Sequence, residues 1–212
     1  MRTRKEPEQR KQEIFAAAVQ LFMEKGYAAT TVADITKAAG VAKGTFFYYF
    51  ATKDVLLEAI GRRWAEAFAR RYEEAEKGTD AVERFCVFLR LFESDDPMDP
   101  LFDQLIREHQ YQIMDSIWQK MLAEIFEPLL RGILMQGQAE GSMHFAGSID
   151  STMHYFWCIF DAMYPMGDAM QHIGEAQMEV HLSVGHRLIE TLLGLSSGTL
   201  EALEHTCASQ GC

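Results

Sequence analysis

The 212-residue chain has no apolar stretch that approaches the length of a membrane span, so no membrane partner is expected. It has no sustained apolar/polar alternation either, which argues against strands and for an all-α protein. Its first residues, MRTRKEPEQRKQE, are charged and lead into no apolar segment. That pattern excludes a secretory leader and points to the cytoplasm. Cysteine is sparse: Cys86, Cys158, Cys207 and Cys212 form neither a CxxC pair nor a His/Cys metal spacing. A reduced compartment follows, and no cofactor is expected. No nucleophile–base pair or paired-acid signature of an enzyme stands out. Positive charge is also scarce, with 20 Lys and Arg against 31 Asp and Glu for a net −11, which disfavours a nucleic-acid partner for the chain as a whole.

The distribution of charge reverses that reading. Residues 1–53 hold nine Lys and Arg against five Asp and Glu, a net +4, while residues 54–212 hold eleven against twenty-six, a net −15. Such asymmetry fits a small basic module that meets a polyanion, carried by an acidic body with another task.

The basic segment reads as three helices. In EIFAAAVQLFMEK, residues Ile14, Ala17, Ala18, Leu21 and Phe22 recur at helical spacing, and Gly26 is a stop signal. Thr31 caps a short helix, VADITKAA, with Asp34 three residues on as the capping partner. Gly40 ends that helix and a tight turn leads to KGTFFYYF, with five aromatic residues from Phe46 to Phe50. Two short helices joined by a Gly-containing turn after a longer helix make a helix-turn-helix. On the last of them, a helix over 43–50 places Phe46 and Phe50 on an inward face and Thr45, Tyr48 and Tyr49 on the other, with Lys43 and Gly44 at its start. Hydroxyls beside a lysine suit phosphate oxygens, and Gly44 permits close approach. The alternative is that the tyrosines are also core.

The stretch TTVADITKAAGVAKGTFFYYFATKDVLLEAI resembles the DNA-binding domain of the TetR family of one-component transcriptional regulators, over roughly residues 9–60. The resemblance implies an N-terminal helix-turn-helix domain, residues 1–53, followed by a larger helical ligand-binding and dimerisation domain, residues 54–212. It also implies a homodimer that binds a palindromic double-stranded DNA operator, usually as a repressor, and is released by a small-molecule effector. By the same resemblance Thr31 contacts a phosphate, Lys43 and Gly44 reach base edges, Thr45 contacts the groove, and Tyr48 and Lys53 clamp the backbone. Two positions depart from the family pattern. Phe47 stands where a tyrosine is usual and has no hydroxyl, and Tyr49 stands where a histidine is frequent and can donate instead.

The body reads as further helices. Loops fall at 77–80 and 93–100, and a long helix is expected from residue 101 or 107 to 136, kinked near Ile125 by Pro128. Strong helices follow over 149–164 and 176–193, then a polar tail. Large soft side chains concentrate in the middle, and Phe88, Phe102, Tyr111, Met114, Trp118, Met121, Trp157 and Phe160 are candidates to line an apolar effector pocket. At this spacing any one of them is more often plain core. Asp103, Glu108 and Asp115 nearby favour a neutral or cationic apolar or aromatic effector. In the last helix, Met178, Leu182, Gly185, Ile189 and Leu192 form one stripe, with Val184 and Leu188 on a second, so that two partners are needed. The first stripe is expected to meet its copy in a second subunit. His154, Cys158 and Asp161 share one helix, but metal sites usually draw ligands from more than one element, so no metal is expected there.

Overall fold

A computed structural model describes residues 7–75, 80–93, 98–164 and 175–200, and no strand occurs among them. In chain order the helices are α1 (Pro7–Lys25), α2 (Val32–Ala38), α3 (Lys43–Tyr49), α4 (Lys53–Ala75), α5 (Ala81–Glu93), α6 (Asp99–Arg107) and α7 (Tyr111–Met121). A π-helical turn (Leu122–Phe126) leads to α8 (Glu127–Glu140), followed by α9 (Ile149–Met163) and α10 (Glu175–Leu193). The chain divides into two compact units, Met1–Ala65 with Asp95–Met121, and Glu66–Ser94 with Leu122–Cys212. This grouping differs from a cut after residue 53, because the first part of α4 together with α6 and α7 joins the first three helices.

In the first unit, α1 buries Ile14, Phe15, Ala18 and Phe22. It stops at Gly26, whose φ of +89° a residue with a Cβ adopts only at a cost. Thr31 and Asp34 then form a complete capping box for α2. Phe46 of α3 is fully buried, with its ring centroid 5.8 Å from that of Phe50, which in turn lies 5.5 Å edge-on from Phe15. Edge-to-face aromatic packing of this kind adds to the area buried. Leu56, Leu57 and Ile60 of α4 complete this core. At Gly61, a Cβ would lie 2.6 Å from Ile117 Cγ2, so α4 and α7 approach more closely than a larger residue allows.

The long helix expected to end at residue 136 is broken twice. One break follows α6, where His109 has φ +55° and its N–H bonds to the Ile106 carbonyl. No glycine or proline marks this break in the sequence. The other is the π turn Leu122–Phe126, directly before a helix with Pro128 in its first turn. Proline has no N–H to give the preceding turn, and a widened turn absorbs the missing bond.

The second unit is built around rings. Phe68, Phe88, Phe92, Phe126, Phe156, Trp157 and Phe160 stand in mutual contact, with centroid separations from 4.4 Å for Phe68–Phe92 to 6.4 Å for Phe88–Trp157. α9 and α10 pack closely, since a Cβ at Gly185 would lie 2.2 Å from Met163 Cγ. Glu190 of α10 is only 3% exposed, and its two carboxylate oxygens accept the backbone N–H groups of Leu200 at 2.9 Å and Gly198 at 3.0 Å. A buried carboxylate is tolerated when it is bonded in this way.

Candidate nucleic-acid interface

The outward face of α3 is set by what its inward face must bury. With Phe46 and Phe50 in the core, residues one helical turn apart on the opposite side emerge, and Lys43, Gly44, Phe47 and Tyr48 are exposed together. Tyr48 is the most open, at 80% of its surface, and Phe47 stands at 46%. At Gly44 an added Cβ would meet no atom within 4 Å, and its φ is unexceptional. Nothing inside the protein therefore requires glycine at this position. Lys43 Nζ lies 5.8 Å from the centroid of the Phe47 ring.

Two members of the expected outward set sit differently. Thr45 and Tyr49 are half-buried at the flanks, and the Tyr49 hydroxyl donates to the Pro7 carbonyl at 3.1 Å. The exposed face instead runs through Lys43, Gly44, Phe47 and Tyr48, so that Phe47 joins it in place of Thr45 and Tyr49. Only the position of Phe47 one turn beyond Lys43 hinted at this.

Thr31 is exposed, but its hydroxyl serves the α2 cap. It accepts from Asp34 N at 3.2 Å and donates to Asp34 Oδ2 at 2.7 Å. Lys25 Nζ reaches the same carboxylate oxygen at 2.6 Å. The Lys25 hydrogen bond first, and those from Thr31 next, hold the Asp34 carboxyl well below the usual carboxylate range.

Lys53, expected as a backbone clamp, also has internal work. Its ammonium donates to the carbonyls of Tyr27 at 2.6 Å and Thr30 at 2.9 Å and lies 4.1 Å over the Tyr27 ring. Burial pushes its pKa down, opposed by Asp54 and Glu108. Two of its three protons are directed at these carbonyls. The Tyr27 hydroxyl donates to Asp54, and burial, then that bond, raises its pKa above the ordinary tyrosine value.

The effector candidates fall in both units. Phe102, Tyr111, Met114, Trp118 and Met121 belong to the first, with Phe102 edge-on to Trp64 at 5.4 Å and the Tyr111 hydroxyl 3.0 Å from His109 Nδ1. Phe88, Trp157 and Phe160 belong to the second and are buried in its ring cluster.

The expected association stripe needs correction. Ile189 has no exposed surface, and Gly185 is covered by Met163, so both belong to the core of their own chain. Met178, Leu182 and Leu192 are half-buried. The large apolar side chains that α10 leaves in the open are Val180, Val184 and Leu188, and on α9 Tyr155. His154 Nε2 lies 3.9 Å from Cys158 Sγ, and no group of three potential metal-binding side chains occurs among the described residues.

The fold of residues 7–60 is thus a helix-turn-helix domain with a cored recognition helix, the architecture of a DNA-binding protein. Residues 14–60 match the profile of bacterial regulatory proteins of the tetR family. The match to this family lies in that segment of the chain. The chain is 29% identical over 94 residues to the HTH-type transcriptional repressor KstR2 of Mycolicibacterium smegmatis, covering 43% of this chain and 46% of that protein. The chain thus spans a little under half the length of that relative. With the fatty acid metabolism regulator protein of Bacillus subtilis it shares 25% identity over 170 residues, 73% of this chain and 86% of that one. Among solved structures, RolR in complex with resorcinol superposes with a TM-score of 0.65 at 20% identity, covering 92% of this chain and 93% of RolR. Likeness at that identity shows the fold alone.

Proposed function

We propose that the protein is a ligand-responsive transcriptional repressor that binds a palindromic DNA operator as a homodimer and is released by a small, mainly apolar effector. One observation carries the DNA-binding part: the outward face of α3 combines a lysine, a glycine that the protein's own packing does not require, and an exposed tyrosine. A basic segment of net +4 surrounds it. In this reading residues 1–53 meet DNA and residues 54–212 serve the effector and the dimer. Lys43 donates to a guanine edge in the major groove, Gly44 lets the backbone approach, and the Tyr48 hydroxyl bonds a phosphate. Thr31, Thr45, Tyr49 and the remaining proton of Lys53 flank the contact.

The dimer forms through α9 and α10, with Val180, Val184 and Leu188 as its apolar contacts. The effector meets one of two aromatic sets, either Phe102, Tyr111, Met114, Trp118 and Met121, or Phe88, Trp157 and Phe160. An effector acts only to the extent that it binds one conformation better than the other, and a tenfold loss of operator affinity requires about 1.4 kcal/mol of such coupling. A long acyl chain is the second effector reading, favoured by the extended relationship to a fatty acid metabolism regulator.

The test is selection of binding sites from random duplexes, followed by gel shifts across a salt series. A palindrome bound by two chains is expected, and Lys43→Ala weakens it by about 1–3 kcal/mol while relaxing preference at one base pair per half-site. Recovery of no preferred duplex overturns the reading. Stearoyl-CoA and resorcinol, added to Trp118→Phe and Trp157→Phe variants, identify the effector class and, from the tryptophan whose fluorescence responds, the aromatic set it meets.

A further inference from the structure

The feature of α3 that the reading above leaves unused is Phe47. An exposed phenyl ring in the middle of a DNA-facing surface is a liability unless it touches something apolar. It carries no donor or acceptor, so it takes no part in phosphate contacts. Among the base edges of the major groove the apolar group is the C5-methyl of thymine. The ring has two neighbours: Phe46, itself fully buried, lies edge-on at 5.4 Å, and Lys43 Nζ stands 5.8 Å from the Phe47 centroid. A ring beside the core and left half-open presents apolar surface.

We propose that Phe47 is a sequence-reading residue that packs against the methyl group of a thymine, close to the base pair read by Lys43. The proposal rests on the DNA-binding reading and adds a base preference to it. Lys43 and Phe47 are four residues apart, about 6 Å along the helix axis, against about 3.4 Å per base step. The thymine therefore lies within about two base pairs of the guanine that Lys43 reads. The tyrosine usual at this position in the resembling family brings a hydroxyl. Without that hydroxyl the side chain offers only apolar surface.

Deoxyuridine supplies a clean test, because it keeps the base pair and deletes only the methyl. Each thymine of the selected operator is replaced in turn, and affinity is measured for the full-length wild type, Phe47→Ala, Phe47→Tyr and Lys43→Ala. Burial of one methyl predicts about a fourfold loss for one half-site and about fifteenfold when both are substituted. That loss is expected at one position per half-site for the wild type, for Phe47→Tyr, which keeps the ring, and for Lys43→Ala. It should vanish in Phe47→Ala, whose folded state is checked by circular dichroism. A wild type indifferent to deoxyuridine at every position overturns the proposal while leaving DNA binding intact. So does a folded Phe47→Ala that keeps the full deoxyuridine penalty. Failure to select any operator overturns the DNA-binding reading and this proposal with it.

Discussion

Glu108, at the end of α6, accepts a 2.8 Å hydrogen bond from the backbone N–H of Ala28, eighty residues earlier in the chain. Its other carboxylate oxygen accepts from Gln104 Nε2 at 2.9 Å and lies 1.8 Å from where a Cβ on Gly26 would stand. Gly26 is thus fixed by two independent demands, its φ of +89° and the carboxylate beside it. Gly26→Ala is expected to destabilise by about 1–3 kcal/mol from backbone strain and the displaced carboxylate. Glu108→Ala, which loses one charged acceptor at a partly exposed site, should cost about 1 kcal/mol. In the double variant the clash is gone but the strained φ remains, so urea denaturation should give a loss smaller than the sum of the two. Strict additivity would show that the carboxylate does not bear on Gly26.

Gly44 behaves oppositely. Alanine there meets nothing in the protein, and alanine is the better helix former by up to about 1 kcal/mol. Gly44→Ala is therefore expected to melt no lower than the wild type yet to bind operator more weakly. Unchanged operator affinity would mean that DNA does not approach the backbone at this point.

The neighbours Leu188 and Ile189 separate association from folding. Leu188 is 52% exposed and Ile189 is fully buried. Leu188→Glu should leave circular dichroism and melting near wild type while light scattering reports a monomer. Ile189→Glu places an unpaired charge in the core and should lose the folded state itself, since such burial typically costs several kcal/mol. A fully dimeric Leu188→Glu would move the interface off this face.

Acid sensitivity has an identifiable source in the DNA-binding unit. The folded-state pKa of Asp34 lies below its unfolded value, so its contribution to stability is present above the ordinary carboxylate range. That contribution is lost as pH falls through the depressed value. Asp34→Asn abolishes this titration, so its stability should decline less steeply than that of the wild type below about pH 4. Parallel acid limbs for the two proteins would remove Asp34 from the account.

Legibility from sequence followed the range of the interactions. The α2 cap was readable because Thr31 and Asp34 are three residues apart, and the core side of α3 because Phe46 and Phe50 repeat at one turn. The half-burial of Tyr49 was not, since its hydroxyl meets the Pro7 carbonyl, 42 positions away. The break at His109 carries no glycine or proline to announce it. Leu188 and Ile189 are nearly equal in hydrophobicity, and which one turns inward is decided by how α10 lies on α9. The bond between Glu108 and Ala28 joins elements that no local pattern connects.

Glu190 bears on where the chain can be shortened. Its carboxylate is satisfied by donors at Gly198 and Leu200, both beyond the last residue of α10. A protein trimmed to the end of that helix keeps every turn of α10 yet strips this carboxylate of both its backbone donors. The unit that folds cooperatively therefore extends at least to Leu200. A tag or fusion partner joined at residue 193 would degrade the very helix pair it was meant to leave alone.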